Sequence, residues 1–454
     1  MSSPHPSGSS TPAPTEPDPA HLLPVEAASQ PVVKRVTLAG LIGSFVEWYD
    51  YGIYGLLAAT LALNFSSPDA GANAALMFTY AGFAVSFVVR PFGGIVSGYL
   101  GDKIGRQLLL AWLILLISGS TAAIGVLPTY AAVGVFAPIL LILLRMLQGF
   151  SAGGEASGAM SFVGEYAPDK RRGFMTSWLP VGSFFALLFG SLFASLLINS
   201  LGQDAMNSWA WRVPFLLAAP LGLVGFYIRS KLEDTPHFQS LREEKKIVRN
   251  PLKKAFTSKR HLKAIGMTIA LPALNGPGYY ILFVYMPTYL KTEQKFTQLQ
   301  GLLVTAVGLI VICIAIPLMA TLSDRIGRKP LLLWSAVVMA VAAYPCFALT
   351  AMGSIPAAML AAAILALIFS AHAGVIQVQL VELFPTDVRY SAYAVGFNIS
   401  TVIFGGTAPL LMTWLIGLTG NKSIPAYAVI LTAIITTIAA SRLVETAGKP
   451  LEDT

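Results

Sequence analysis

The sequence predicts an all-α integral membrane protein with twelve transmembrane helices arranged as two six-helix bundles. Composition is the first reason. Of 454 residues, 55% are hydrophobic and 11% are charged, whereas soluble domains carry about 25% charged residues. The second reason is an internal repeat. Glu165-x-x-Pro168-x-x-x-Arg172 returns 217 residues later as Glu382-x-x-Pro385-x-x-x-Arg389. GDKIGR (Gly101 to Arg106) returns 222 residues later as SDRIGR (Ser323 to Arg328). The third reason is one long polar loop, 230–262, which divides the apolar spans six and six. Repeats in the same orientation are those related by an axis along the membrane normal.

Residues 1–33 are expected to form a disordered cytoplasmic tail. The first 31 hold eight prolines, six serines and no apolar run. No basic segment precedes an apolar one, so a signal peptide is not expected. Apolar spans follow at 36–63, 74–100, 107–127, 132–166, 173–199, 211–229, 263–290, 298–321, 330–350, 355–383, 390–417 and 424–444. Each meets the length of about 20 residues that a bilayer-crossing helix needs. The N-terminal bundle covers 34–229, the cytoplasmic inter-bundle loop 230–262, the C-terminal bundle 263–445, and a cytoplasmic tail 446–454. With the N-terminus inside, 24 Lys and Arg lie on the cytoplasmic side and 4 outside. The positive-inside rule then puts both termini in the cytoplasm of a multi-pass protein of the cell's inner or plasma membrane. The net charge of +8 reads as loops facing anionic lipid, not as a nucleic-acid surface. Cys313 and Cys346 lie in apolar spans and read as small buried hydrophobes, not as a disulfide or metal site.

Several motifs carry a resemblance. GYLGDKIGR (Gly98–Arg106), its echo SDRIGRK (Ser323–Lys329) and RMLQG (Arg145–Gly149) resemble signatures of the major facilitator superfamily. EWYDYGIYG (Glu47–Gly55), RPFGG (Arg90–Gly94), QGFSAGGE (Gln148–Glu155), ELFPTDVRYS (Glu382–Ser391) and GFNISTVIFGGTAP (Gly396–Pro409) are similar to the metabolite:H+ symporter family. Gln107 departs from the base that usually ends the loop motif, and Ala320 stands where the echo could carry Gly. The resemblance implies alternating access driven by proton symport, with organic carboxylates or zwitterionic osmolytes as solutes.

Ionisable groups inside spans are costly and so mark function by default. At about 1.5 Å rise per residue, Glu155 and His372 lie about 15 Å from the cytoplasmic helix ends, Arg90 about 18 Å, and Glu47 and Asp50 about 16 and 21 Å. Five groups thus share one slab near the midplane, where transporters of this architecture bind solute. Glu155 and Asp50 are the leading proton-carrier candidates, with Arg145 or Arg90 tuning the carboxylate. His372 occupies the position of the second bundle equivalent to Glu155. Glu47 and Asp50 are three apart, which puts them on one helix face, and Arg90 is the partner of Glu47 nearest in depth. Candidate solute contacts are Tyr51, Trp178, Asn275, Tyr279, Tyr280, Tyr393 and Asn398. Asn275 to Tyr280 carries Gly276, Pro277 and Gly278, which loosen a helix locally. Asp102, Arg106, Glu165, Arg172, Asp324, Arg328, Glu382 and Arg389 sit at cytoplasmic helix ends and read as gate residues that pair across the bundles. Gly149-x-x-x-Gly153 and Gly182-x-x-x-Ala186 permit close helix packing.

Gly149-Phe-Ser-Ala-Gly153 matches a hydrolase elbow, but that motif needs a strand–turn–helix, so no enzyme is expected. No P-loop or His-rich metal pattern occurs, and no cofactor is expected beyond the proton as coupling ion. The expected function is proton-coupled uptake of a small polar metabolite, with an organic carboxylate first because two arginines lie in the first bundle. A proline- or betaine-type osmolyte is the alternative. Its branch can carry a long C-terminal coiled coil, and about ten residues follow span twelve here. A non-transporting metabolite sensor is the alternative of another class, and a uniporter the third reading. The protein is expected to work as a monomer in the bilayer, with one small solute as partner.

Overall fold

The computed structural model describes residues 30–104, 106–153, 160, 163–164, 167–230, 259–383, 393 and 395–451. All regular structure among them is helical. A helix lies in each predicted span, although for span 132–166 the described helix covers Phe136–Ala152 only. In the first bundle these are α1 (Gln30–Leu56, continued by Ala58–Phe65), α2 (Ala72–Ile104), α3 (Arg106–Val126), α4 (Phe136–Ala152), α5 (Arg172–Thr176, continued by Trp178–Leu201) and α6 (Arg212–Leu216, continued by Ala218–Ser230). In the second they are α7 (Lys259–Ala270, extended through Met286–Thr292), α8 (Gln298–Ile326), α9 (Arg328–Thr350), α10 (Ile355–Glu382), α11 (Val395–Thr419) and α12 (Ile424–Ser441). Among the described residues, eight helices are individually long and apolar enough to cross a membrane. A helix pair bent by 48° around Trp211 adds a ninth. Helix α1 starts at Gln30, within the expected tail, and α7 starts at Lys259, within the expected loop. The rest of both segments lies outside the described residues.

Small residues set the packing inside the first bundle. A Cβ at Gly149 would overlap the Ser86 carbonyl, and one at Gly153 the Arg90 carbonyl. Helices α2 and α4 therefore meet backbone to backbone, as the small-residue spacing predicts. Gly182 on α5 likewise abuts the Leu41 carbonyl of α1, 2.5 Å from where a Cβ would sit.

Two helices lose α-regularity at the bundle interface. Helix α7 passes through a 3-10 turn at Leu271–Ala273 and a π turn at Tyr280–Tyr285. Helix α11 has a π turn at Thr401–Gly406. Prolines 272 and 277 remove amide donors from α7, and Gly276 and Gly278 lower its helix propensity. Gly276 lets α7 reach the α11 turn, since a Cβ there would sit 2.5 Å from the Phe404 carbonyl carbon. Such breaks in membrane helices occur where the backbone lines a cavity.

Candidate functional site

The central cavity lies between the bundles, with a volume of about 80 Å³. At about 10–15 Å³ per water, it has room for about five to eight water-sized groups. Its walls come from α1, Met160 and α5 on one side and α7, α10 and α11, with Tyr393 just before it, on the other.

Aromatic rings form one wall. Trp48 of α1 meets Tyr279 of α7 at 4.8 Å between centroids, edge to face. Tyr279 also packs on Phe184 of α5 at 4.9 Å and on Tyr280 at 5.0 Å. Four rings from three helices thus converge, two from each bundle. Polar groups come from Glu47, Ser183, Asn275, Gln377 and Tyr393. The Tyr393 hydroxyl donates to Gln377 Oε1, which fixes that amide across α10 and α11. Glu47 is the one carboxylate among the described lining residues, and no Lys or Arg is among them.

Of the expected solute contacts, Asn275, Tyr279, Tyr280 and Tyr393 line the cavity, whereas Tyr51, Trp178 and Asn398 do not. Tyr51 packs behind the wall, its hydroxyl donating to the Gln148 carbonyl at 3.3 Å. Of the ionisable candidates, Glu47 lines the cavity, whereas Asp50, Arg90, Arg145 and His372 do not. Positions three apart differ by about 60° around a helix, so Glu47 faces the cavity while Asp50 turns toward α3. Arg90 lies behind the rings, with its guanidinium carbon 4.5 Å from the centres of Tyr51 and Phe87 and 5.8 Å from Trp48. Its Nε donates to the Tyr51 hydroxyl at 3.4 Å. His372 is fully buried against Phe369, and neither ring nitrogen has a hydrogen-bond partner among the described residues. Glu155 lies outside the described residues. Trp48, Phe184, Gln377 and Ser183 line the cavity without having been singled out from the sequence. The Trp48 signal was present, because it lies inside the EWYDYG motif.

A second polar cluster sits inside the first bundle. Ser118 Oγ on α3 donates to Asp50 Oδ2 at 3.3 Å, while Asp50 Oδ1 has no partner among the described residues. The Arg145 guanidinium donates to Gln148 Oε1 at 2.7 Å and Ser86 Oγ at 3.1 Å, and lies 4.2 Å from the Tyr54 ring centre. Gln148 Nε2 donates in turn to Thr121 on α3. The carboxyl and the guanidinium network thus end on α3 side chains three residues apart, Ser118 and Thr121, and among the described residues no ion pair joins Asp50 to Arg145.

Contacts join the bundles toward both ends of the cavity. At the charged end, Arg172 Nη1 donates to Glu382 Oε1 at 3.1 Å. Arg328 Nη2 reaches the same oxygen at 3.3 Å, and Arg328 Nη1 pairs with Asp324 at 2.7 Å. Asp324 accepts from the backbone amides of Gly173 and Phe174 at 2.9 Å each, capping α5 from the opposite bundle. Four of the expected gate residues, Arg172, Asp324, Arg328 and Glu382, therefore form one network. The side chains of Asp102 and Arg106, and residues Glu165 and Arg389, lie outside the described set. At the other end, Tyr80 packs on Tyr285 across the bundles at 5.6 Å, and Ser191 Oγ donates to the Leu302 carbonyl at 2.9 Å.

Two repeated bundles around one central cavity, tied at both ends, define a solute transporter of the major facilitator fold. The chain belongs to the sugar (and other) transporter family, whose sequence profile matches residues 36–254 and 239–454. It is 39% identical over 427 residues to the glycine betaine/proline/ectoine/pipecolic acid transporter OusA of Dickeya dadantii, covering 92% of this chain and 85% of the relative. It is 38% identical over 426 residues to the proline/betaine transporter of Escherichia coli K12, with the same coverages. Among solved structures, the proton:xylose symporter XylE bound to 6-bromo-6-deoxy-D-glucose superposes with a TM-score of 0.77 at 18% identity, covering 93% of this chain and 98% of that one.

Proposed function

We propose that the protein is a proton-coupled symporter that takes up a small zwitterionic osmolyte of the betaine or proline type by alternating access. The lining of the cavity carries this reading. A cationic nitrogen is attracted to aromatic faces by about 0.5–2 kcal/mol each when desolvated, and Trp48, Phe184, Tyr279 and Tyr280 offer such faces beside the Glu47 carboxylate. The solute carboxylate would be met by neutral donors, the Asn275 amide and the Gln377 amide nitrogen, whose oxygen is held by Tyr393. A solute with only negative charge, the first expectation, finds no cation in the described wall, because Arg90 and Arg145 are buried behind it. The names carried by the relatives support the osmolyte reading, against the expectation drawn from the short C-terminal segment.

Asp50 is our candidate for the proton carrier. A proton on the carboxyl would remove the cost of burying its charge, and its loss would draw the carboxylate toward the Arg145 guanidinium of the same bundle. Glu155 is the alternative carrier. The charged end faces the cytoplasm, in keeping with the Lys and Arg count, and the protein acts as a monomer in the plasma or inner membrane.

The test is uptake by purified protein in liposomes under an imposed pH gradient, with labelled betaine, proline and a dicarboxylate. The expected result is betaine or proline uptake that collapses with a protonophore and with Asp50→Asn. Dicarboxylate uptake in place of these would refute the solute class. Uptake indifferent to the protonophore would refute coupling, and binding without flux would make the protein a sensor.

A further inference from the structure

At the end opposite the charged gate, both bundles converge on a single carboxamide. Gln298 is the first residue of α8 and is 5% exposed. Its Oε1 accepts from Thr60 Oγ1 at 3.3 Å, Gln203 Nε2 at 3.0 Å and Lys291 Nζ at 3.1 Å. Its Nε2 lies 3.1 Å from the same Thr60 hydroxyl. Thr60 is fully buried at the end of α1, and Gln203 follows α5, so both belong to the first bundle. Lys291, like Gln298, belongs to the second.

The web extends beyond this amide. Gln203 Nε2 also donates to Asn207 Oδ1 at 3.0 Å, and Asn64 Nδ2 donates to the Asn207 carbonyl at 2.9 Å. Gln298 does not cap its own helix. That role falls to Thr297 and Gln300, which form a reciprocal capping box. The α8 backbone is therefore held independently, and the Gln298 side chain is left to tie the bundles.

We infer that Gln298 is the latch of the gate opposite the charged one. Separating the bundles at this end removes the Thr60 and Gln203 contacts together, and it leaves Lys291 as the remaining described donor to Oε1. Buried polar groups need partners, so the web either holds as a unit or opens to water as a unit. The tie is built mainly from neutral groups, unlike the carboxylate–guanidinium tie at the charged end. Its strength should therefore depend little on ionic strength. The inference rests on the transporter fold, not on the identity of the solute.

The test measures access, not flux. A single cysteine at cavity residue 183 (Ser183→Cys), with Cys313 and Cys346 replaced, is labelled by a membrane-impermeant thiol reagent in right-side-out and in inverted vesicles. Gln298→Leu is expected to raise labelling about tenfold from the side opposite the charged gate only, equivalent to about 1.4 kcal/mol. Gln203→Leu removes one first-bundle donor and should give a smaller rise from that side. Gln298→Glu keeps an acceptor for all three donors and should label no faster than the parent. Parental labelling in Gln298→Leu would overturn the inference, as would an equal rise from both sides, which would mean general loosening. Labelling after denaturation corrects for the amount of protein, so a poorly folded Gln298→Leu leaves Gln203→Leu to decide.

Discussion

Arg172→Gln should open the charged end of the transporter, and the size of the effect follows from what Arg172 touches. It is 2% exposed and is the side chain that crosses the bundles to Glu382. Its other partners are Asp169, within its own bundle, and the Lys449 carbonyl at 3.2 Å. Glu382 retains Arg328 and the Thr446 hydroxyl, which donates to it at 2.6 Å. The substitution therefore leaves no buried carboxylate without a partner, and its cost is the difference between a charged and a neutral tie. Hydrogen bonds to charged groups contribute about 1.5–3 kcal/mol and neutral ones about 0.5–1.5. A loss of about 1–1.5 kcal/mol shifts the closed-to-open equilibrium about five- to tenfold. A cysteine in place of Ser44, on the α1 wall of the cavity, reports this as faster thiol labelling from the charged side. Arg442→Gln, at an exposed position after α12, is the control and should label as the parent does. Labelling of Arg172→Gln within twofold of the parent would refute the reasoning, because the pair would then hold nothing closed.

Other perturbations address the remaining parts. A Cβ at Gly173 would sit 2.6 Å from Arg328 Nη1 and 2.8 Å from Asp324 Oδ1. Gly173→Ala should therefore displace Asp324 from the α5 amides and raise charged-side labelling, whereas Gly266→Ala, where a Cβ meets nothing within 4 Å, should not. Trp48→Ala should weaken betaine binding about tenfold and Trp48→Phe less, if each ring face contributes about 0.5–2 kcal/mol; equal losses in calorimetric titration would contradict the aromatic wall. Glu445 accepts from the amides of Arg328 and Lys329 at the start of α9. Burial works to raise its proton affinity, but the amides of Arg328, Ala447, Lys329 and Thr446 outweigh it and hold the carboxyl below its usual range. A group so lowered stabilises the fold above the ordinary Glu value of about 4.3, and the contribution is lost as pH falls through the folded value. Glu445→Gln should accordingly lower the apparent melting temperature at pH 7, with the gap to the parent narrowing toward acid.

The helices and the repeat were legible from spacing alone, and four of the residues that spacing placed at a charged end, Arg172, Asp324, Arg328 and Glu382, lie in one network. Span length and Lys/Arg bias depend on one-dimensional quantities that the sequence contains in full. The irregular turn in α7 was legible too, because Gly276, Pro277 and Gly278 weaken a helix wherever they fall. The cavity wall was legible only in part. Helical rise gives the depth of Glu47, Asp50 and Arg90 but not which way each side chain faces. Arg90 is at the right depth yet lies behind Trp48 and Tyr51, and Asp50 turns into its own bundle. Gln298 gave no local signal, since its role depends on Thr60 and Gln203, which lie 238 and 95 residues away in the chain.

The distribution of the aromatic wall between bundles would give the proposed alternating access a physical basis. Trp48 and Phe184 belong to one bundle and Tyr279 and Tyr280 to the other, so a solute can touch all four rings only when the bundles are closed on it. A ligand shifts an equilibrium only by its differential affinity for the two states. Contacts split in this way favour the occluded arrangement over either open one. The ties at the two ends need not be strong. Each ion or amide of the latches is solvated by water when its end opens, so the net stabilisation from each is modest. A weak latch at each end and a solute that draws the bundles together then leave the open and occluded forms within a few kcal/mol of one another. A strong permanent tie at either end would remove that balance. For this reason, a substitution that tightens one latch, such as Gln298→Glu beside Lys291, is expected to slow uptake as surely as one that breaks it.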